Sequence, residues 1–254
     1  MPRLFLAAVA LATPASLLAT PASLAAATYT VNPTRVYLSA RTTSALMTLK
    51  NESQSPLRMQ LRAQRWDQTR TGEMQLAPTE DLIVFPSLLT LAPGEERKVR
   101  VAASTPFGQV ERSYRLYVEE LPAAALEDGE GASVRILTRM GIPVFLQPAR
   151  PTATAVLQGL GMKDRRLAFE LANTGNSHYI PESIVVRGFT ASGQRVAEWP
   201  VSGWYVLAGG TREFAVTLER PACEAVRSLL VEITIGQTLL RSPLTTPGGA
   251  CGSQ

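Results

Sequence analysis

One histidine, His178, and two cysteines, Cys223 and Cys251, are the scarcest reactive side chains in this 254-residue chain. A lone imidazole with no second histidine and no cysteine pair beside it offers no cage for a metal ion. His178 lies next to an Asn-Thr-Gly-Asn turn, a position from which one histidine does not build a Ser-His-Asp arrangement. The acidic residues that stand out, Glu95-Glu96 and Glu119-Glu120, are chain neighbours and read as solvated charge. Gly129 to Ser133 (GEGAS) has glycines but not the strand–turn–helix setting of a phosphate loop. The expectation is therefore no catalytic residue, no metal and no cofactor, and a protein that binds rather than reacts.

The formal charge is +4, with 45% hydrophobic and 18% charged residues. That is a globular balance. No Lys/Arg block appears, so nucleic acid is not the expected partner. Residues 1–27 have the form of a secretory signal: Arg3, an apolar run from Leu4 to Ala12, and small residues Ala25-Ala26-Ala27 before the expected cut. Pro14 and Pro21 interrupt that segment, and no later run has the ~18 apolar residues of a membrane helix. In the oxidising compartment that export implies, Cys223 and Cys251 are expected to pair and pin the tail; two free thiols are the other reading.

Period-two alternation dominates from Tyr29 onward. Thr30–Ser39 reads as a strand interrupted by Pro33, hence one at an edge or one that switches sheets. Strands follow at 45–50, 57–64, 82–85, 88–91, 98–102 and 114–119, with a polar hairpin-like segment around Gly72 and turn signals such as Ala92-Pro93-Gly94 between them. The run Val134–Pro148 (VRILTRMGIPVFLQP) places Val134, Ile136, Met140, Ile142 and Val144 on one face. It reads as the last strand of a first domain and as a template whose edge is lent to another protein. After a hinge at Pro148–Pro151 the pattern returns at 154–157, 167–172, 183–188, 203–207, 213–218 and 229–235. The expected organisation is a signal at 1–27, an immunoglobulin-like domain at 28–148, a β-sandwich at 149–245 and a tail at 246–254. Tyr114, Trp204 and Tyr205 read as core or domain-interface aromatics.

Several stretches together resemble the periplasmic pilus chaperones of the PapD-like family. They are TRVYLSA (34–40), FPSLLTLAPGEERKVRV (85–101), ERSYRLYVEELP (111–122), VRILTRMGIPVFLQP (134–148) and NTGNSH (173–178). The resemblance implies an all-β fold of two immunoglobulin-like β-sandwich domains in a boomerang arrangement with a cleft between them. It implies a non-enzymatic function: holding pilus subunits by donor-strand complementation and delivering them to an outer-membrane usher. The lent strand would be Val134, Ile136, Thr138, Met140 and Ile142, with Thr138 interrupting the apolar row. The same edge could pair with a second copy when no subunit is present.

The family grips the subunit's terminal carboxylate with two cations. Arg35 matches the first. The second is usually a lysine, and Pro143 stands at its place, a departure. The asparagine usual in the preceding strand is replaced by Tyr117, which together with NTGN brings the chain closer to the archaic branch. Arg115 or Arg139 would then supply the second cation. Each of the three could instead be an ordinary surface arginine. An exported two-domain adhesin or binding module is the alternative reading of the whole chain.

Overall fold

The computed structural model describes residues 28–122, 136–246 and 250–251. The leader 1–27 and Val134 lie outside these residues. The chain runs β1 (Tyr29–Asn32), β2 (Val36–Leu38), β3 (Ser44–Asn51), β4 (Leu57–Gln68), β5 (Met74–Pro78), β6 (Leu82–Phe85), β7 (Leu88–Leu91), β8 (Glu96–Ala103), β9 (Arg112–Leu121) and β10 (Arg139–Leu146). It continues with β11 (Ala155–Lys163), β12 (Arg166–Asn173), β13 (Ser183–Phe189), β14 (Arg195–Val201), β15 (Thr211–Thr217), α1 (Arg220–Ala225), β16 (Ser228–Ile235) and β17 (Thr238–Thr245).

The first ten strands form two sheets, in the orders β1-β3-β8-β6 and β2-β10-β9-β4-β5, with β7 also pairing β4. The break at Pro33 does what its position suggests: β1 joins the first sheet and β2 the second. Alternation decides which side chains are dry. Met47 and Leu49 from one sheet meet Leu57, Met59 and Leu61 on β4, together with Leu116, Ile142 and Val144, all from the other sheet, in one buried cluster. Truncating such a residue, Leu116→Ala for example, costs roughly 2–5 kcal/mol.

The later strands form sheets β11-β12-β15 and β14-β13-β16-β17 around a second buried cluster that includes Phe169, Val186, Trp199 and Val231. The structure is thus the expected all-β, two-sandwich fold. Cys223 on α1 is joined to Cys251 by a disulfide with Cα atoms 5.7 Å apart.

Several elements differ from the sequence expectation. Residues 203–207 are not a strand; Val206 makes only an isolated bridge to Tyr179. Strands β14 and β17 and helix α1 have no counterpart in that expectation, and β5 is expected only as an arm of the hairpin-like segment around Gly72. β5 is exposed throughout, so it carries no apolar alternation to read. The strand expected from Val134 begins at Arg139.

Candidate functional site

Antiparallel pairing gives β9 two faces. Tyr114, Leu116 and Val118 enter the core, and Tyr114 donates its hydroxyl to Asp81 Oδ2 at 2.6 Å. Ser113, Arg115, Tyr117 and Glu119 have the opposite parity. Register places Arg115 against Pro143 on β10 and Gln64 on β4, and Tyr117 against Gly141 and Arg62. On that outer face Trp66 and Phe145 meet Tyr205 and Leu207 of the second sandwich in a third buried cluster. The site lies along this seam.

Arg115 is 6% exposed. Its Cζ lies 3.9 Å from the centre of the Trp66 ring and 5.6 Å from that of Tyr205. Burial pushes its guanidinium below the ordinary arginine value. Its Nε and Nη2 are buried with no hydrogen-bond partner, and among the described residues no carboxylate pairs with it. A buried cation with unmet donors is costly unless something anionic meets it. Arg35 is exposed and likewise has no carboxylate partner among the described residues; its Cζ lies 5.9 Å from the Tyr205 ring centre. Burial raises the Tyr205 phenol, and Arg35 and Arg115 both oppose that rise. Arg139 differs from both. Its Nε is 2.7 Å from Glu119 Oε1, and its Cζ stacks 3.7 Å from the Tyr117 ring. Its charge is already answered.

The pairing of β2 with β10 is parallel, Val144 against Val36. Arg35, one residue earlier, is therefore level with Pro143. Arg35 and Arg115 flank the proline on its two sides, one on the β2 side and one on β9. The missing lysine leaves a position bracketed by two guanidinium groups that no described carboxylate answers. Gly141 makes room for Tyr117 as well: a Cβ there would come 3.0 Å from Tyr117 Cε1 and press on the ring where it lies across the strand.

β2 covers β10 only from Val144 to Leu146, so among the described residues 139–142 form a free sheet edge. Ahead of it Ile136 is 56% exposed, Thr138 bonds Glu120, and Met140 packs partly against the first core. Ile142 is 1% exposed inside the domain's own core, so its side chain holds the strand in place and is not on offer to a partner.

Two contacts fix one sandwich against the other. The buried Glu111 carboxylate accepts Ser177 Oγ at 3.0 Å and His178 N at 3.1 Å, and lies 2.6 Å from His178 Nδ1. The His178 ring stacks on Phe145 with centroids 3.8 Å apart. Asn176 bonds the Gln109 and Arg150 carbonyls. The NTGNSH segment is thus a clasp. On the other side the β4–β5 hairpin crosses over: Arg70 pairs with Glu170 and its carbonyl accepts Glu213 N at 2.7 Å. Sequence reading missed Glu111 and the reach of this hairpin to the second sandwich because nothing local marks a contact made 66 or 100 residues away. It also read Trp204 as buried, whereas that ring is 43% exposed and only Tyr205 enters the seam.

Residues 28–152 match the family described as "Pili and flagellar-assembly chaperone, PapD N-terminal domain". Through this first domain the chain belongs to the PapD-like family of pilus chaperones. Among solved structures, the fold is similar to a chain of the CsuC–CsuE chaperone–tip adhesion subunit pre-assembly complex from the archaic chaperone-usher Csu pili of Acinetobacter baumannii. That match has TM-score 0.56 and 18% identity, covering 87% of this chain and 99% of that one. It is similar also to a chain of the Salmonella enterica SafA pilin–SafB chaperone complex (0.56, 13%, 85% and 96%) and to the E. coli chaperone DraB (0.56, 14%, 88% and 98%). No curated protein matches the chain in sequence. Identities this low establish the fold and no more. No helix among the described residues is long and apolar enough to cross a membrane.

Proposed function

We propose that this PapD-like protein is a periplasmic chaperone of pilus subunits, one that completes a subunit's unfinished fold by lending it the free edge of β10. The observation that carries the reading is the edge ending between two guanidinium groups without a described carboxylate partner, Arg35 and Arg115. Backbone groups of the edge would supply affinity, as in other strand-addition complexes. Ile136, with the more buried Met140 behind it, would offer apolar side chains to the subunit. A strand ending at Pro143 brings its terminal carboxylate between the two arginines, which can bind it through paired charge-assisted hydrogen bonds. Arg139, satisfied by Glu119, is assigned no share in that grip. Pro143 and Tyr117, at the places of the usual lysine and asparagine, together with NTGN, are the features that favour the archaic branch. Binding and release along an edge need no nucleotide and no bond-making chemistry.

Delivery to an outer-membrane usher requires a surface that stays free while the cleft is occupied. Ile83 and Phe85 on β6, 56% and 73% exposed, belong to the sheet that does not carry β10 and are suited to it. A lent edge would also explain any self-pairing of the free protein.

The test is co-purification from periplasm, comparing wild type with folded Arg35→Ala and Ile136→Asp. A small partner retained by wild type and lost from both variants supports the reading. An unchanged partner list overturns it in favour of a binding module that uses its loops.

A further inference from the structure

The two sides of β10 can be told apart by their hydrogen bonds. Glu120 N donates to Thr138 O, at 2.9 Å, so even-numbered residues of this segment turn their backbone toward β9. Gln147 N donates to Leu38 O at 2.8 Å, so odd-numbered residues turn theirs toward β2. Leu137, Arg139, Gly141 and Pro143 therefore turn away from β9. The first three present both an N–H and a carbonyl. Pro143 presents no N–H, and the pairing of Val144 with Val36 already turns its carbonyl to Val36 N–H on β2. One residue further on, β2 occupies the edge. Gly141 is thus the last residue of the lent edge with both groups open, and the edge ends at a position with no donor to offer, the one flanked by Arg35 and Arg115.

Resting on the proposed strand-lending role, we propose that Pro143 makes the edge selective for a chain end. At this position a continuing strand would place an amide carbonyl opposite a missing donor, and a carbonyl left unpaired on burial is penalised. A terminal carboxylate escapes the penalty, because the flanking guanidinium groups take over from the absent N–H. Pro143 is then a positioning residue: it fixes where the bound strand must stop, while Arg35 and Arg115 hold what stops there.

The experiment uses the full mature chain with Ile136→Cys. That cysteine is its only free thiol, since Cys223 and Cys251 are joined. A short peptide of alternating valine and threonine is tethered there in three forms, ending in a carboxylate, an amide or a primary alcohol. Docking is read from the hydrogen-exchange protection of Gly141 N–H by NMR. In the native Pro143 background the carboxylate form should dock at least ~5-fold more than the amide. The alcohol, which has no charge and no carbonyl to orphan, should also exceed the amide. Pro143→Ala restores the donor and should remove the advantage of the alcohol while narrowing that of the carboxylate.

If the carboxylate is preferred but the alcohol and amide dock equally, the Pro143 inference is overturned and the arginine grip stands. Unchanged preferences in a folded Pro143→Ala variant lead to the same conclusion. If no form docks, the strand-lending reading itself fails; if carboxylate and amide dock equally, the edge is lent but both the arginine grip and the Pro143 inference are overturned. The alcohol–amide comparison needs no substitution at Pro143, so it decides the matter even where Pro143→Ala does not fold.

Discussion

A buried guanidinium with unmet donors is a stability cost that function can justify. Arg115 gains from its stack on Trp66, typically ~0.5–2 kcal/mol, but that contact leaves Nε and Nη2 unbonded. Arg115→Met keeps the volume and removes the buried charge. It is expected to leave the thermal midpoint unchanged or raise stability by ~1 kcal/mol, while subunit capture is lost. Thermal unfolding beside a co-purification assay checks both halves; a clear loss of stability would mean that Arg115 is structural. Arg139→Ala, by contrast, should leave capture intact, because Glu119 already holds its charge. Sequence reading reached all three arginines and put Arg35 first, but could not choose between Arg115 and Arg139. What separates them is register and burial: Arg115 shares the parity of Tyr117 and Glu119, as the alternation indicates, yet only the fold shows which of them lacks a partner.

At the scale of the strand, two isoleucines in β10 and just ahead of it have opposite roles. Ile136 is exposed, so Ile136→Asp should fold normally and fail to hold a subunit. Ile142 lies in the first core, so Ile142→Asp should unfold that domain, an unpaired buried carboxylate costing several kcal/mol. Circular dichroism of the two variants distinguishes them; equal folding would contradict the placement of the strand. The alternation of Val134–Val144 marked a strand and a shared face, but a period of two cannot say where a strand stops packing at home and starts serving a partner. The core strands were legible because each has one dry and one wet face. β5 has no dry face, and residues 203–207, apolar enough to suggest a strand, are spent instead on the seam through Tyr205 and Leu207.

For the whole molecule, the cleft depends on how firmly the sandwiches are held together. Glu111→Ala strips a buried acceptor from Ser177 and His178 and should cost about 2–4 kcal/mol. Calorimetry should then resolve two transitions; one unchanged transition would mean that the hairpin contact at Arg70 suffices alone. Reduction of Cys223–Cys251, which spans 28 residues, should destabilise the second sandwich by about 3–4 kcal/mol and spare the first.

The central claim is that one edge of one strand is lent. Hydrogen exchange of the subunit-loaded protein against the free protein tests it most directly. Leu137, Arg139 and Gly141 N–H point to that edge and should slow by more than ~10-fold on loading, while the inward Met140 and Ile142 amides, already bonded to β9, change little. Equal exchange at Leu137, Arg139 and Gly141 in the two states would contradict the claim.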